Sequence, residues 1–297
     1  MLEWLTDGGL ETDLLFLRGI ELPEFAAFPL LLDPAGVAVL ESYYDDYVAI
    51  ARSAAAGLVL ETPTWRANRD WGERLGYDTA ALDRVNQQAV GLLRRVAARA
   101  DLAKVLVSGV IGPRGDGYVA AGHRADEAAA YHKPQLQSFA EAGADVAHAL
   151  TLSEPAEAIG IVQAARSVGV MIGISFTVET DGRLPDGTSL RQAVEAVDAE
   201  AAPDWYGVNC AHPTHVLLAL DGSQWQARLH VFRPNASTLT HAELDVMDVL
   251  DTGDRELLCR STVELLTKVP SITTLGGCCG TDASHIAALW SAAERLS

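Results

Sequence analysis

Thr6-Asp7-Gly8-Gly9-Leu10-Glu11 follows the first apolar segment of this 297-residue chain, and what it lacks decides between two folds. Short apolar runs recur at 2–6, 57–61, 104–110, 145–150, 170–176, 205–209, 229–232 and 272–275, each leading through a turn into a helical pattern. Several are rich in Val, Ile and Leu without alternation, as expected of parallel strands covered on both faces. Between them, Asp33-Pro34 reads as an N-cap with proline at the first helical position, and Val37, Leu40, Tyr44, Val48 and Ala51 then step by three or four. Leu82, Val85, Ala89, Leu92 and Val96 repeat the pattern, and 154–168, 188–201, 255–268 and 282–296 read likewise, with Pro134 expected to kink the helix around 131–139. A doubly wound open sheet would normally carry G-x-G-x-x-G after its first strand, and T-D-G-G-L-E does not match it. Eight strand–helix units therefore predict a closed (β/α)8 TIM barrel. No composition shift marks a linker, so 1–297 reads as a single domain.

The composition excludes several functions. A hydrophobic fraction of 49% with 21% charged residues belongs to a folded globule with a sizeable core. The formal charge of −18 argues against nucleic acid, whose phosphates are bound by Lys and Arg, and against an anionic membrane surface. No Lys or Arg precedes Arg18, so a basic signal-peptide n-region is missing, and no apolar run approaches the roughly 20 residues that span a bilayer. Four cysteines in a chain of this length do not form a disulfide scaffold. A cytoplasmic protein is expected.

The barrel brings distant segments to one rim, because active sites of such folds sit at the C-terminal strand ends. Asp7-Gly8-Gly9, Thr62, Asn209-Cys210, Asn235 and Gly276-Gly277-Cys278-Cys279 all fall just past expected strand ends. Cys210, Cys278 and Cys279 could be soft-metal ligands, packed apolar thiols, or, for the adjacent pair, a disulfide. Both members of that pair can reach one ion only where the backbone bends, which Gly276, Gly277 and Gly280 allow. Cys259, in a helical stretch, reads as packing. His212 stands on the same rim within reach of a substrate, His215 reads as opening the next helix, and His285 as packing at the start of the last. Asp7 reads equally as a turn former or a functional carboxylate, and Glu11 as a helix-start acid.

These residues also carry a resemblance. D-G-G-L-E-T at 7–12, T-P-T-W-R-A-N at 62–68, S-G-V-I-G-P at 108–113, G-V-N-C at 207–210, P-N-A at 234–236 and G-G-C-C-G-T at 276–281 resemble, nearly end to end, the zinc-dependent homocysteine S-methyltransferases. The resemblance implies a barrel holding Zn²⁺ through Cys210, Cys278 and Cys279. It also implies an acceptor pocket formed by Asp7, the Gly8 backbone, Thr62, Asn209 and Asn235. A small-molecule thiol, homocysteine, would then be methylated to methionine by a cationic sulfonium or ammonium donor, to which Trp65 could offer a cation–π face.

One segment departs from that pattern. The family commonly shows an E-T-x-P stretch after the fourth strand, whose glutamate contacts the acceptor amine. Here the chain reads Ala149-Leu150-Thr151-Leu152-Ser153-Glu154-Pro155, which puts Leu150 at that position. Glu154 could substitute only in a rearranged loop. A different thiol acceptor, or a non-catalytic zinc-stabilised or thiol-redox barrel, is the alternative expectation.

Overall fold

A computed structural model of the chain describes residues 1–295. Its eight parallel strands are β1 Trp4–Leu5, β2 Gly57–Glu61, β3 Val105–Ile111, β4 Val146–Leu152, β5 Ile172–Phe176, β6 Trp205–Asn209, β7 Leu229–Arg233 and β8 Thr274–Leu275. Each pairs with the next, and β1 pairs with β8 to close the ring. All eight expected runs are strands. β4 and β5 are buried at every position, which explains why they read as continuous apolar runs. The shortest, β1 and β8, leave the ladder early, at Thr6 and Gly276, to build loops over the barrel mouth.

The surrounding helices are α1 Pro34–Ser53, α2 Thr79–Arg99, α3 Ala125–Glu141, α4 Pro155–Val168, α5 Leu190–Ala201, α6 Pro213–Ala219, α7 Arg255–Lys268 and α8 Ala283–Glu294. Side chains cap most of their N-termini: Asp33 accepts from Gly36 N at 3.1 Å, Asp78 from Ala81 N at 2.8 Å, and Asp282 from His285 N at 3.0 Å. His285 completes a capping box with Asp282, as its place at the helix start suggested. α3 runs unbroken through Pro134. The last position of the expected final helix, 296, lies outside the described residues.

Inside the barrel, polar groups satisfy one another. His148 on β4 faces Glu61 Oε1 at 2.7 Å through Nδ1 and Ser175 Oγ at 2.7 Å through Nε2. Burial holds the His148 pKa down at about 3, so the ring is neutral, donating to the carboxylate and accepting from the hydroxyl. Outside it, α3 and α4 pack at Gly160, where an added Cβ would collide with Ala125 O and the Ala128 Cβ. That contact fixes the loops that precede both helices. Gly160→Val should therefore destabilise the protein by about 2 kcal/mol through overpacking, read as a lowered thermal midpoint. Gly91→Ala in α2, whose Cβ would meet only Arg95 Nη1 at 3.9 Å, should leave that midpoint unchanged or raise it.

Candidate active site

The rim is assembled from strand ends that hydrogen-bond across the closure. β6 passes from Asn209 into Cys210, whose φ of +55° turns the chain while its N–H donates to Arg233 O at 3.1 Å. After β8, Gly277 N donates to Asp7 O and Cys278 N to Pro234 O, both at 2.8 Å. Cys278 and Cys279 thus lie in a turn beyond the strand, which ends at Gly280 with φ +78°. The turn presses so closely on the β1 loop that a Cβ on Gly9 would collide with Cys278 O.

This backbone brings the sulfurs of Cys210, Cys278 and Cys279 within 4.8 Å of one another. Cys210 and Cys278 are bonded as a disulfide, while Cys279 is a free thiol; the adjacent pair is not bridged. The Cys210 and Cys279 sulfurs stand 3.7 Å apart. Thiolates about 2.3 Å from a tetrahedral zinc are separated by about 3.8 Å, so this spacing fits that ion once the disulfide is reduced. Burial pushes the Cys279 thiol up to about 12, and the Glu11 carboxylate adds to the rise. A bound cation would reverse that preference and stabilise the thiolate. Around the sulfurs, the Tyr118 hydroxyl donates to Cys210 Sγ at 3.3 Å and the Asn209 amide to Cys278 Sγ at 3.7 Å. Tyr118 is itself held by stacking on His241 at 3.9 Å between centroids, and His241 Nε2 donates to Cys210 O at 2.7 Å.

Cys278 and Cys279 line a cavity of about 440 Å³ whose walls also include Asp7, Gly8, Glu11, Thr62, Trp65, Leu150, Arg233 and Asn235. Asp7 is buried, its Oδ1 accepting from Arg233 Nη2 at 2.8 Å and its Oδ2 from the Tyr43 hydroxyl at 3.2 Å. Desolvation nevertheless raises the Asp7 pKa, against the pull of Arg233. Arg233 also pairs with Glu61 and donates through Nε to Gly277 O at 3.0 Å. Thr62 Oγ1 accepts from Val110 N at 2.8 Å and so braces β2 against β3. Asn209 is fully buried, accepting from Thr151 N at 2.7 Å; it supports the sulfurs from beneath instead of lining the cavity. Asn235 Oδ1 is buried without a hydrogen-bond partner among the described residues, leaving an acceptor for a ligand.

Leu150 does stand on the cavity wall, and its carbonyl accepts from Trp65 Nε1 at 3.3 Å. Glu154 does not replace the missing acid. Its carboxylate accepts from Gly122 N at 2.9 Å and His123 N at 3.0 Å, fastening the β3–α3 loop that carries Tyr118. His212 caps α6, with Thr214 N donating to its Nδ1 at 3.3 Å, and does not line this cavity; burial lowers its pKa to about 4. His215 lies in that helix, and Cys259 packs in α7. Arg233, Glu61, Tyr118 and His241 had no sequence signal of their own. Only the position of Glu61 and Arg233 as the last residues of β2 and β7 could have marked them.

A sequence model of the family described as homocysteine S-methyltransferase matches residues 4–293. The Escherichia coli K12 homocysteine S-methyltransferase is 27% identical over 304 residues, covering 96% of this chain and 93% of that protein. The structure of the E. coli homocysteine methyltransferase MmuM in its metallated form aligns with a TM-score of 0.75 at 22% identity, over 98% of this chain and 96% of that one. Its oxidised form gives 0.77 at 22% identity, over 97% and 95%. At such identity the structural likeness carries the fold alone. Because the sequence match runs from β1 into α8, this chain belongs to the homocysteine S-methyltransferase family and is a methyltransferase.

Proposed function

We propose that this chain moves a methyl group from a cationic sulfonium or ammonium donor to the thiol of homocysteine, giving methionine, at a zinc site formed by Cys210, Cys278 and Cys279. The observation that carries the reading is the trio of sulfurs clustered at the C-terminal barrel rim, with Cys278 and Cys279 in the wall of the cavity. Zinc held there would supply the Lewis acidity that keeps an acceptor thiol, with a free pKa of about 8.5, ionised at neutral pH. Reduced cysteines are required, so we place the enzyme in the cytoplasm. Among the described residues, no helix is long and apolar enough to cross a membrane.

The chain's own groups orient this chemistry. Hydrogen bonds from Tyr118 and Asn209 fix the directions of two sulfurs and draw off part of their charge. Asp7, Gly8 and Thr62 line the acceptor end of the cavity, where the unpartnered Asn235 Oδ1 takes a ligand donor. Trp65 and Tyr118 offer aromatic surface to a cationic donor, although the Arg66 guanidinium already lies 5.1 Å from the Trp65 ring. Apolar walls from Val110 and Leu150 keep water from the transfer. The acceptor sulfur attacks the methyl carbon in line as the donor's bond to that carbon breaks. The donor then leaves as a neutral thioether or amine, and the acceptor's proton passes to solvent.

Reduced, zinc-loaded protein should form methionine from homocysteine with at least one of S-methylmethionine, S-adenosylmethionine and betaine, detected by mass spectrometry. Inactivity with all three would overturn the reading. Cys210→Ser and Cys279→Ser should lose zinc and activity while keeping a cooperative thermal transition, whereas a purely structural metal predicts unfolding on chelation. Tyr118→Phe should retain zinc but lower kcat between about 2- and 10-fold, the worth of one hydrogen bond.

A further inference from the structure

Seven charged side chains line the cavity: Asp7, Glu11, Glu61, Asp245, Asp251, Arg66 and Arg233. Most are already satisfied. Asp7 and Glu61 share the Arg233 guanidinium, and Asp251 accepts from the Ser237 hydroxyl at 2.5 Å and from Gly253 N at 2.9 Å. Arg66 donates to Glu24 O and lies over the Trp71 ring at 3.9 Å. Asp245 sits in the segment after Leu244, whose neighbours Val246 and Val249 are largely exposed, so it belongs to the outer lip.

Glu11 differs from all of these. It follows the D-G-G turn in the short helix Leu10–Thr12, is partly buried, and lines the same cavity as Cys278 and Cys279. Among the described residues no side chain or backbone group of another residue hydrogen-bonds its carboxylate, and no Arg, Lys or His nitrogen lies within 4 Å of it. A carboxylate is costly to keep partly buried without a partner, and burial accordingly pushes its pKa up to about 7, with Asp7 adding to the rise. Leu150 contributes only apolar surface to this cavity.

We infer that Glu11 is the specificity-determining residue of the acceptor subsite, where its carboxylate receives the α-ammonium of an amino-acid thiol. The assignment rests on the methyl-transfer reading above, because it requires an acceptor that bears an ammonium group near its thiol. The ammonium supplies the cation and the donors that Glu11 lacks, and an ion pair with a partly buried carboxylate discriminates against a thiol without the amine.

The test compares homocysteine with 4-sulfanylbutanoate, the same thiol acid without its amino group, by titration calorimetry on reduced, zinc-loaded protein with no methyl donor present. The wild type should bind homocysteine more tightly. Glu11→Gln should lose more than about tenfold in homocysteine affinity and less than about twofold for the des-amino thiol, so that the preference collapses. Zinc content and thermal midpoint serve as folding controls, and Glu11→Asp should recover part of the preference. If Glu11→Gln keeps the preference, the assignment is overturned and the methyl-transfer reading stands. A variant that instead weakens only the KM of the methyl donor overturns it as well, by moving Glu11 to the donor side. A wild type that binds both thiols equally rules out ammonium recognition at Glu11, and one that binds neither removes the methyl-transfer reading along with it.

Discussion

One guanidinium ties the barrel mouth together. Arg233 ends β7 and is buried, yet it reaches Asp7 and the Gly8 carbonyl after β1, Glu61 at the end of β2, and the Gly277 carbonyl after β8. Two carboxylates around one cation leave a surplus of negative charge. It is spread onto the Tyr43 hydroxyl at Asp7 and onto neutral His148 at Glu61. Such a group adds little net stability, since desolvating three charges offsets their attraction; removing one partner, however, strands the others at a cost of about 3–5 kcal/mol. What the arrangement secures is geometry. The loop that bears Cys278 and Cys279 and the loop that bears Gly8 and Glu11 hang from the same side chain, which sets their separation.

The sulfur site needs that rigidity because its members come from two strands that are not neighbours. Cys210 follows β6 and the pair follows β8, with β7 between them. β7 is therefore the spacer: Cys210 N bonds to its Arg233 carbonyl, and Cys278 N to the Pro234 carbonyl one residue on. Adjacent cysteines on a regular strand would face opposite ways. Both face one site here because β8 stops at Leu275 and a turn replaces it. The double glycine then lets that turn lie against Thr6 and Thr281 where a side chain would clash.

How much of this was legible follows from what each residue's neighbours reveal. The strands were legible because both faces are buried and the apolar runs are unbroken; the helices were legible because aspartates and prolines mark their starts. The cysteines stood out by rarity and by their glycines. Continuous burial, however, hides direction. In a strand such as Val146–Leu152, with every residue buried, no alternation shows that His148 points into the barrel toward Glu61. Arg233 lies one residue past the expected run 229–232, and only closure of the ring buries it. Tyr118 lies in a glycine-rich loop whose path depends on Glu154, 31 and 32 residues beyond its anchor points at His123 and Gly122. A pairing at that separation leaves no periodic trace. His212 was placed on the rim by counting, but its side chain is drawn away to cap α6.

The cavity also separates chemistry from recognition. The sulfurs and the groups that direct them, Asn209 and Tyr118, sit where β6, β8 and the β3–α3 loop converge, and a change in any of them alters the sulfurs' surroundings. The remaining walls come from elsewhere. Phe16 and Phe25 rise from the segment after β1, Met247 and Val249 from the segment after β7, and Leu150 from β4. None of these five bonds to a sulfur among the described residues. An apolar residue at 150 can therefore stand beside an intact three-cysteine site, since the two belong to different strands and share no hydrogen bond. The β1 loop, fixed by Arg233 and pressed against Cys278, carries on its own wall the carboxylate of Glu11, which belongs to a different strand end from Leu150.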